Sequence, residues 1–152
     1  VEVGGVNVAQ IDPHVLMDQV AFVFQNNRLF KASILENVRA SRPEATREQV
    51  MAALMAAQCK DILDKLPDGL DTQIGTEGTY LSGGEQQRVA LARLMMKKCS
   101  VVLADEPTGS LDKKNRDIVM RLLHELNEEG KTVIIVTHDQ GIIEDEPYVV
   151  KI

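Results

Sequence analysis

A chain of 152 residues, 44% hydrophobic and 26% charged, has the composition of a soluble globular protein and enough length for one domain with a real core. A formal net charge of -6 argues against a nucleic-acid surface, which is built on clustered Lys and Arg. No apolar run approaches the ~20 residues of a transmembrane helix and no signal peptide opens the chain, so it is not expected to cross a membrane itself.

In chain order, Val1 to Val8 alternates around Gly4-Gly5 and predicts a short edge hairpin. Asp12-Pro13 predicts an N-cap and first helical residue. Val20-Ala21-Phe22-Val23-Phe24 is a continuous apolar run, the pattern of a strand buried on both faces, and it ends on Gln25. Helices are predicted from Ser33 to Val38, from Thr46 to Gln58 behind the capping box Thr46-x-x-Gln49, and from Lys60 to Leu66, with a turn at Leu66-Pro67-Asp68-Gly69. Cys59 and Cys99 match no metal spacing and suit a reducing compartment as small buried residues, which points to the cytoplasmic side.

Leu81-Ser82-Gly83-Gly84-Glu85-Gln86-Gln87-Arg88 opens a helix that is predicted to run to about Lys98, with Ser82 and Glu85 in capping-box spacing and Val89, Ala92 and Met96 on one apolar stripe. Two glycines in a first turn cost roughly 1 kcal/mol each against Ala. They also bare the free amides and the positive dipole end, a geometry that suits a phosphate. An ordinary capped helix after a glycine turn is the competing reading. Val101-Val102-Leu103-Ala104 is a second fully apolar strand running into Asp105-Glu106-Pro107. Asp112 is placed as the N-cap of a helix that Gly130 ends. Val133-Ile134-Ile135-Val136, followed by Thr137-His138, is a third strand, and Tyr148 to Val150 is a candidate fourth. Strand, helix, strand makes the sheet mostly parallel, so the fold class is α/β. Gln25, Asp105-Glu106 and His138 then stand at carboxyl ends of strands, where open α/β sheets bind ligands.

The octet at Leu81 resembles the signature motif of the ABC (ATP-binding cassette) ATPases, and the resemblance extends along essentially the whole chain in the family's order. It implies a partial P-loop NTPase sheet, residues 1–25 and 99–152, with an inserted helical subdomain, residues 26–98. The strand ending in Asp105-Glu106 resembles Walker B: Asp105 suits a hard Mg²⁺ ion, which takes oxygen ligands, and Glu106 suits a base that orients and deprotonates water, worth ~10² to 10⁴-fold. By the same resemblance, Gln25 is the Q-loop residue that reaches toward Mg²⁺. Ser110, Leu111 and Asp112 belong to the D-loop between paired subunits, and His138 is the switch histidine that contacts the γ-phosphate. Leu81, Ser82, Gly83, Gly84 and Glu85 would hold ATP across a dimer.

Leu66-Pro67-Asp68-Gly69-Leu70-Asp71-Thr72 and Gly75-Thr76-Glu77-Gly78 are similar to the segment before the signature in ABC exporters, although Thr76 and Glu77 stand where exporters usually carry an acid and a base. Asp105 to Asp112 is more similar to the separately encoded ATPases of lipoprotein and peptide export systems. The implied partners are a second ABC nucleotide-binding domain, as homodimer or heterodimer, and a transmembrane transporter subunit or domain. The chain would then sit at the cytoplasmic face of the membrane. A P-loop needs Gly-x-x-x-x-Gly-Lys-Ser/Thr, and Gly130-Lys131-Thr132 is a decoy between a helix and a strand. The expectation is therefore an ABC domain lacking its N-terminal segment, nearly inactive as an isolated chain. A non-transport ABC protein acting on DNA or ribosomes, and a non-catalytic interaction fragment, are the alternatives.

Overall fold

A computed structural model describes residues 1–25, 28–75, 80–146 and 148–150. The chain opens with a two-stranded antiparallel hairpin, β1 (Glu2–Val3) and β2 (Val6–Asn7), turned by Gly4 and Gly5. Both glycines have positive φ, 59° and 78°, as a tight two-residue hairpin turn requires. Asp12 caps α1 (Pro13–Gln19) by accepting from the His14 amide, with proline at the first helical position.

Three strands form a parallel sheet in the order β3 (Val20–Phe24), β4 (Val101–Asp105), β5 (Thr132–Val136). Their register is flush: Val20, Val101 and Thr132 share the first row, and Phe24, Asp105 and Val136 share the last. Between β3 and β4 run α2 (Ile34–Arg39), α3 (Arg47–Ala56), α4 (Lys60–Leu63) and α5 (Gly83–Met95). α6 (Lys113–Glu128) links β4 to β5, and α7 (Gln140–Asp145) follows β5. Helices α2, α3 and α5 begin with complete capping boxes, at Ser33–Glu36, Thr46–Gln49 and Ser82–Glu85. The α5 helix stops at Met95, short of the predicted Lys98. α7, with Asp139 accepting from the Gly141 amide as its N-cap, had no apolar period long enough to be read from sequence. Gly130, φ 92°, ends α6 as expected, and the Lys131 amide bonds back to the Leu126 carbonyl.

Two further expectations are corrected here. Tyr148 to Val150 form no strand. The apolar strands are not buried on both faces: Ala21, Val23, Val102 and Ala104 are buried, while Phe22, Phe24, Ile134 and Val136 are exposed. Rows Ala21–Val102–Val133 and Val23–Ala104–Ile135 face the helices, with α5 on β3 and α6 on β5. Rows Phe22–Leu103–Ile134 and Phe24–Asp105–Val136 make up the other face, where the two Phe rings stack with centroids 5.7 Å apart. Hydrophobicity on both sides of a strand marks what each face could bury, and among the described residues α5 and α6 cover the Ala21–Val23 face.

α5 is the central helix of the covered side, packed on α2, α3, α6 and β3. Val89, Leu91 and Ala92 are fully buried, and the charged Arg88 is buried beside them. Arg88 makes a bidentate pair with Asp61, Nη1–Oδ1 2.8 Å and Nη2–Oδ2 2.9 Å, and Nη1 also donates to the Gln58 carbonyl at 2.5 Å. Among the cysteines, Cys59 is buried and its thiol is pushed up to about 12 by burial, whereas Cys99 is only half-buried.

Candidate functional site

The flush register carries the next residues of all three strands to one end of the sheet. Glu106 extends the ladder, its amide donating to the Val136 carbonyl at 2.8 Å, and then turns sharply with φ 44°. A positive φ is uncommon for a non-glycine residue and is tolerated where surroundings over-determine it. Here they do. Glu106 Oε1 accepts from the His138 amide at 2.9 Å and lies 2.7 Å from His138 Nδ1, while Oε2 accepts from the Thr137 hydroxyl at 3.1 Å. The same hydroxyl accepts from the Asp139 amide at 3.1 Å, and Asp139 pairs with Arg116 of α6 at 2.8 Å.

Burial pushes the Glu106 carboxyl up, but the hydrogen bonds from the His138 ring, the Thr137 hydroxyl and the His138 amide outweigh it. The net result lies below the ordinary carboxylate value. An ionised carboxylate only accepts, so Nδ1 is the donating nitrogen of His138, and Nε2 stays on a ring whose side chain is 89% exposed.

Asp105 closes β4 on the open face of the sheet, in the row of Phe24 and Val136. Gln25 follows Phe24 and lies over the turn after Glu106. A Cβ built on Gly109 would sit 2.5 Å from Gln25 Nε2, so this glycine lets the glutamine approach the backbone. The Gly109 amide donates to the Glu106 carbonyl at 3.0 Å, closing that turn. Ser110 has φ 64°, Leu111 is half-buried, and Asp112 caps α6 by accepting from the Asn115 amide at 2.8 Å.

On the helical side, Ser82 starts α5, whose first turn lies against the start of α6 at Asn115. The Ser82 amide donates to Glu85 Oε2 at 2.8 Å, the Ser82 hydroxyl accepts from the Glu85 amide at 3.3 Å, and Lys65 Nζ holds Glu85 Oε1 at 2.6 Å. Burial raises the Glu85 carboxyl, and the bonds from Lys65 and Ser82 bring it below the ordinary value. Leu81 is buried beneath the cap. The first-turn amides of Gly83 and Gly84 have no intrahelical acceptor, as in any helix.

The two glycines differ, which corrects the single reason given for both. A Cβ on Gly83 would meet nothing within 4 Å, whereas one on Gly84 would lie 2.4 Å from Asn115 Cγ. Gly83 leaves room for a ligand, and Gly84 leaves room for α6. Thr76, Glu77 and Gly78 lie outside the described residues.

Whether this end of the molecule fits MgATP can be judged from its groups. Among the described residues no cluster of three or more His, Cys, Asp and Glu could hold a metal ion. Asp105 presents a carboxylate at the end of β4, which fits Mg²⁺, an ion bound by one or two carboxylates plus substrate phosphates. The open space above Gly83 and the amides of the first turn fit a phosphate. A cleft of about 160 Å³ between β3 and α5 is lined by Arg93, Lys97 and Ser41 among others, and none of the candidate site residues lines it.

Two residues at this end were not singled out from sequence. Thr137 was passed over as a neighbour of His138, although a hydroxyl at a strand end is a ready partner for the carboxylate beside it. Gln87 is a buried amide on the apolar side of α5, and a buried amide needs partners.

A family model described as ABC transporter matches residues 1–109. An ATP-dependent lipid A-core flippase of Neisseria meningitidis is 41% identical over 142 residues, covering 93% of this chain and 23% of the flippase. The mycobactin import ATP-binding/permease protein IrtB of Mycolicibacterium thermoresistibile is 41% identical over 134 residues, covering 88% of this chain and 23% of IrtB. A solved structure of a bacterial Atm1-family ABC exporter with ATP bound superposes with TM-score 0.82 at 33% identity, over 93% of this chain and 25% of the exporter. The chain thus spans about a quarter of the length of these relatives, and the P-loop NTPase fold expected from the sequence is shared with the exporter's nucleotide-binding domain. Among the described residues no helix is long and apolar enough to cross a membrane. This chain belongs to the ABC transporter family.

Proposed function

We propose that this chain supplies the signature, Walker B, D-loop and switch portions of an ATP-hydrolysing domain that drives an ABC exporter, working as one of a pair beneath a transmembrane subunit or domain at the cytoplasmic face. The observation that carries this reading is the Glu106–His138–Thr137 cluster at the flush ends of β4 and β5, with Gln25 packed on the adjoining turn. Residues 1–25 and 99–152 form its α/β core and residues 26–98 its helical subdomain. Export rather than import is favoured by the segment before the signature, Leu66 to Thr72, which resembles that of exporters.

Each residue has a task that its surroundings suit. Ser82 and the amides of Gly83 and Gly84 bind a terminal phosphate presented by the paired domain, with the α5 dipole behind them. Asp105, with Gln25 beside it, would hold Mg²⁺, which when bound neutralises phosphate charge as it develops. Glu106 orients the attacking water and takes its proton. In the described arrangement Oε1 is engaged by both donors of His138, which keeps Glu106 a weak base. Rotation of the exposed His138 ring toward a γ-phosphate removes the ring donor, leaves the His138 amide on that oxygen, and raises the basicity of Glu106. Leu81 packs beneath the cap and Glu85 completes it, while Ser110, Leu111 and Asp112 face the paired domain. A chain holding these groups without a Gly-x-x-x-x-Gly-Lys-Ser/Thr cradle lacks the principal phosphate grip.

The test is Glu106→Gln in the full transporter that carries this domain. MgATP binding should stay nearly intact while hydrolysis falls at least ~10²-fold, because only the base is lost. Unchanged turnover overturns the assignment.

A further inference from the structure

We propose that Gln87 is a positioning residue, the link through which the signature helix sets the ends of β3 and β4 where Gln25 and Glu106 stand. The inference rests on the reading of those two residues given above.

Gln87 is 2% exposed, on the side of α5 that carries Leu91 and Leu94. A buried amide without partners costs about 1–3 kcal/mol, so its bonds explain its presence. Nε2 donates to the Pro107 carbonyl at 2.9 Å and to the Phe24 carbonyl at 3.3 Å. Pro107 follows Glu106, and Phe24 precedes Gln25. The two acceptors therefore adjoin two functional positions on different strands, and one NH₂ group spans them.

The link lies just beyond the end of the ladder. The β3–β4 pairing ends at Phe24 and Asp105. On the other side of β4, the Glu106 amide continues the ladder to the Val136 carbonyl. Between β3 and β4, the Gln87 amide adds a bridge from the helix, bonding the Phe24 and Pro107 carbonyls. The Pro107 turn that it holds also contains Gly109, against which Gln25 packs. A methionine would fill nearly the same volume, so packing alone does not require an amide here. What the amide adds is a fixed separation between two peptide groups, imposed by the same helix whose first turn binds phosphate.

The experiment compares Gln87→Met with the parent in the full transporter, measuring MgATP affinity, KM, kcat and the unfolding temperature. An ångström of misplacement at a site costs up to ~10²-fold, so kcat should fall at least about 10-fold. MgATP affinity and KM should stay within about threefold, the signature of an effect on the chemical step alone. A residue that only fills and satisfies the core would lower the unfolding temperature and leave kcat of the folded protein unchanged, and that result overturns the proposal. If Gln87→Met does not fold, Gln87→Asn, which keeps an amide but reaches one carbonyl at most, is read by the same split between kcat and affinity. Glu106→Gln is run alongside. Turnover lost there and kept in the Gln87 variant overturns the role of Gln87 alone, whereas turnover kept in Glu106→Gln overturns the reading of the site and this inference with it.

Discussion

Replacing Asp61 by asparagine isolates one buried charge. Arg88 is 4% exposed, and Asp61, on the short helix α4, is 44% exposed. A fully exposed ion pair contributes about 0–1 kcal/mol, whereas removing one partner of a fully buried pair costs about 3–5 kcal/mol. This pair lies between those limits, because solvent reaches the carboxylate but not the guanidinium. The asparagine side chain would offer one neutral acceptor, and Arg88 would keep the Gln58 carbonyl, so the expected loss is about 2 kcal/mol. For a domain of this size each kcal/mol is worth about 2–4 °C, so the unfolding temperature should fall by about 4–8 °C at neutral pH.

The pH dependence gives a second check with a definite sign. The Arg88 hydrogen bonds hold the Asp61 carboxyl below its ordinary value against the effect of burial. A depressed folded pKa stabilises the protein above the unfolded value, about 3.9, and that contribution disappears as pH falls through the folded value. The gap between parent and Asp61→Asn should therefore be constant from neutral pH down to about 5 and close below about 4. Thermal unfolding of the 152-residue chain followed by circular dichroism at several pH values measures both. A drop under about 1 °C at neutral pH, or a gap unchanged at the acid end, would refute the electrostatic account.

The two signature glycines should separate cleanly. Gly84→Ala drives a methyl into Asn115, at a cost of about 1–3 kcal/mol that the gain of about 1 kcal/mol in helix propensity offsets only in part. Gly83→Ala meets open space and should be neutral or stabilising by up to about 1 kcal/mol in urea unfolding, yet weaken nucleotide-dependent pairing in the full transporter. Equal stabilities for the two variants would show that Asn115 yields freely. Ser82→Arg removes the N-cap and fills the space above Gly83, so ATP-driven dimerisation should fail while stability falls by only ~1 kcal/mol; normal ATP-dependent dimers on size exclusion would reduce the motif to a capped helix. The isolated 152-residue chain should bind MgATP no tighter than about millimolar, roughly -4 kcal/mol, and a micromolar constant by titration calorimetry would mean that the nucleotide site is misplaced.

Local chemistry was enough to write most of the elements into the sequence. The caps at Asp12, Thr46, Ser82 and Asp112, the Gly4-Gly5 turn and the stop at Gly130 all depend on residues within five positions of one another, and each is legible. So were the three apolar strands and the polar residues that end them, because parallel strands joined by helices bring their carboxyl ends to one side. The resemblance to ABC ATPases rested on those same short words. The tertiary structure alone decided which side of the sheet is covered, since Phe22 and Val23 are equally apolar and only the seating of α5 and α6 distinguishes them. It alone assigned Gly84 to Asn115, Arg88 to Asp61, Thr137 to Glu106 and Gln87 to two strand ends. Apart from Thr137 and Glu106, which meet across adjacent strands, these partners are joined through helix packing. Periodicity reports which face of an element is apolar, but not what that face will meet.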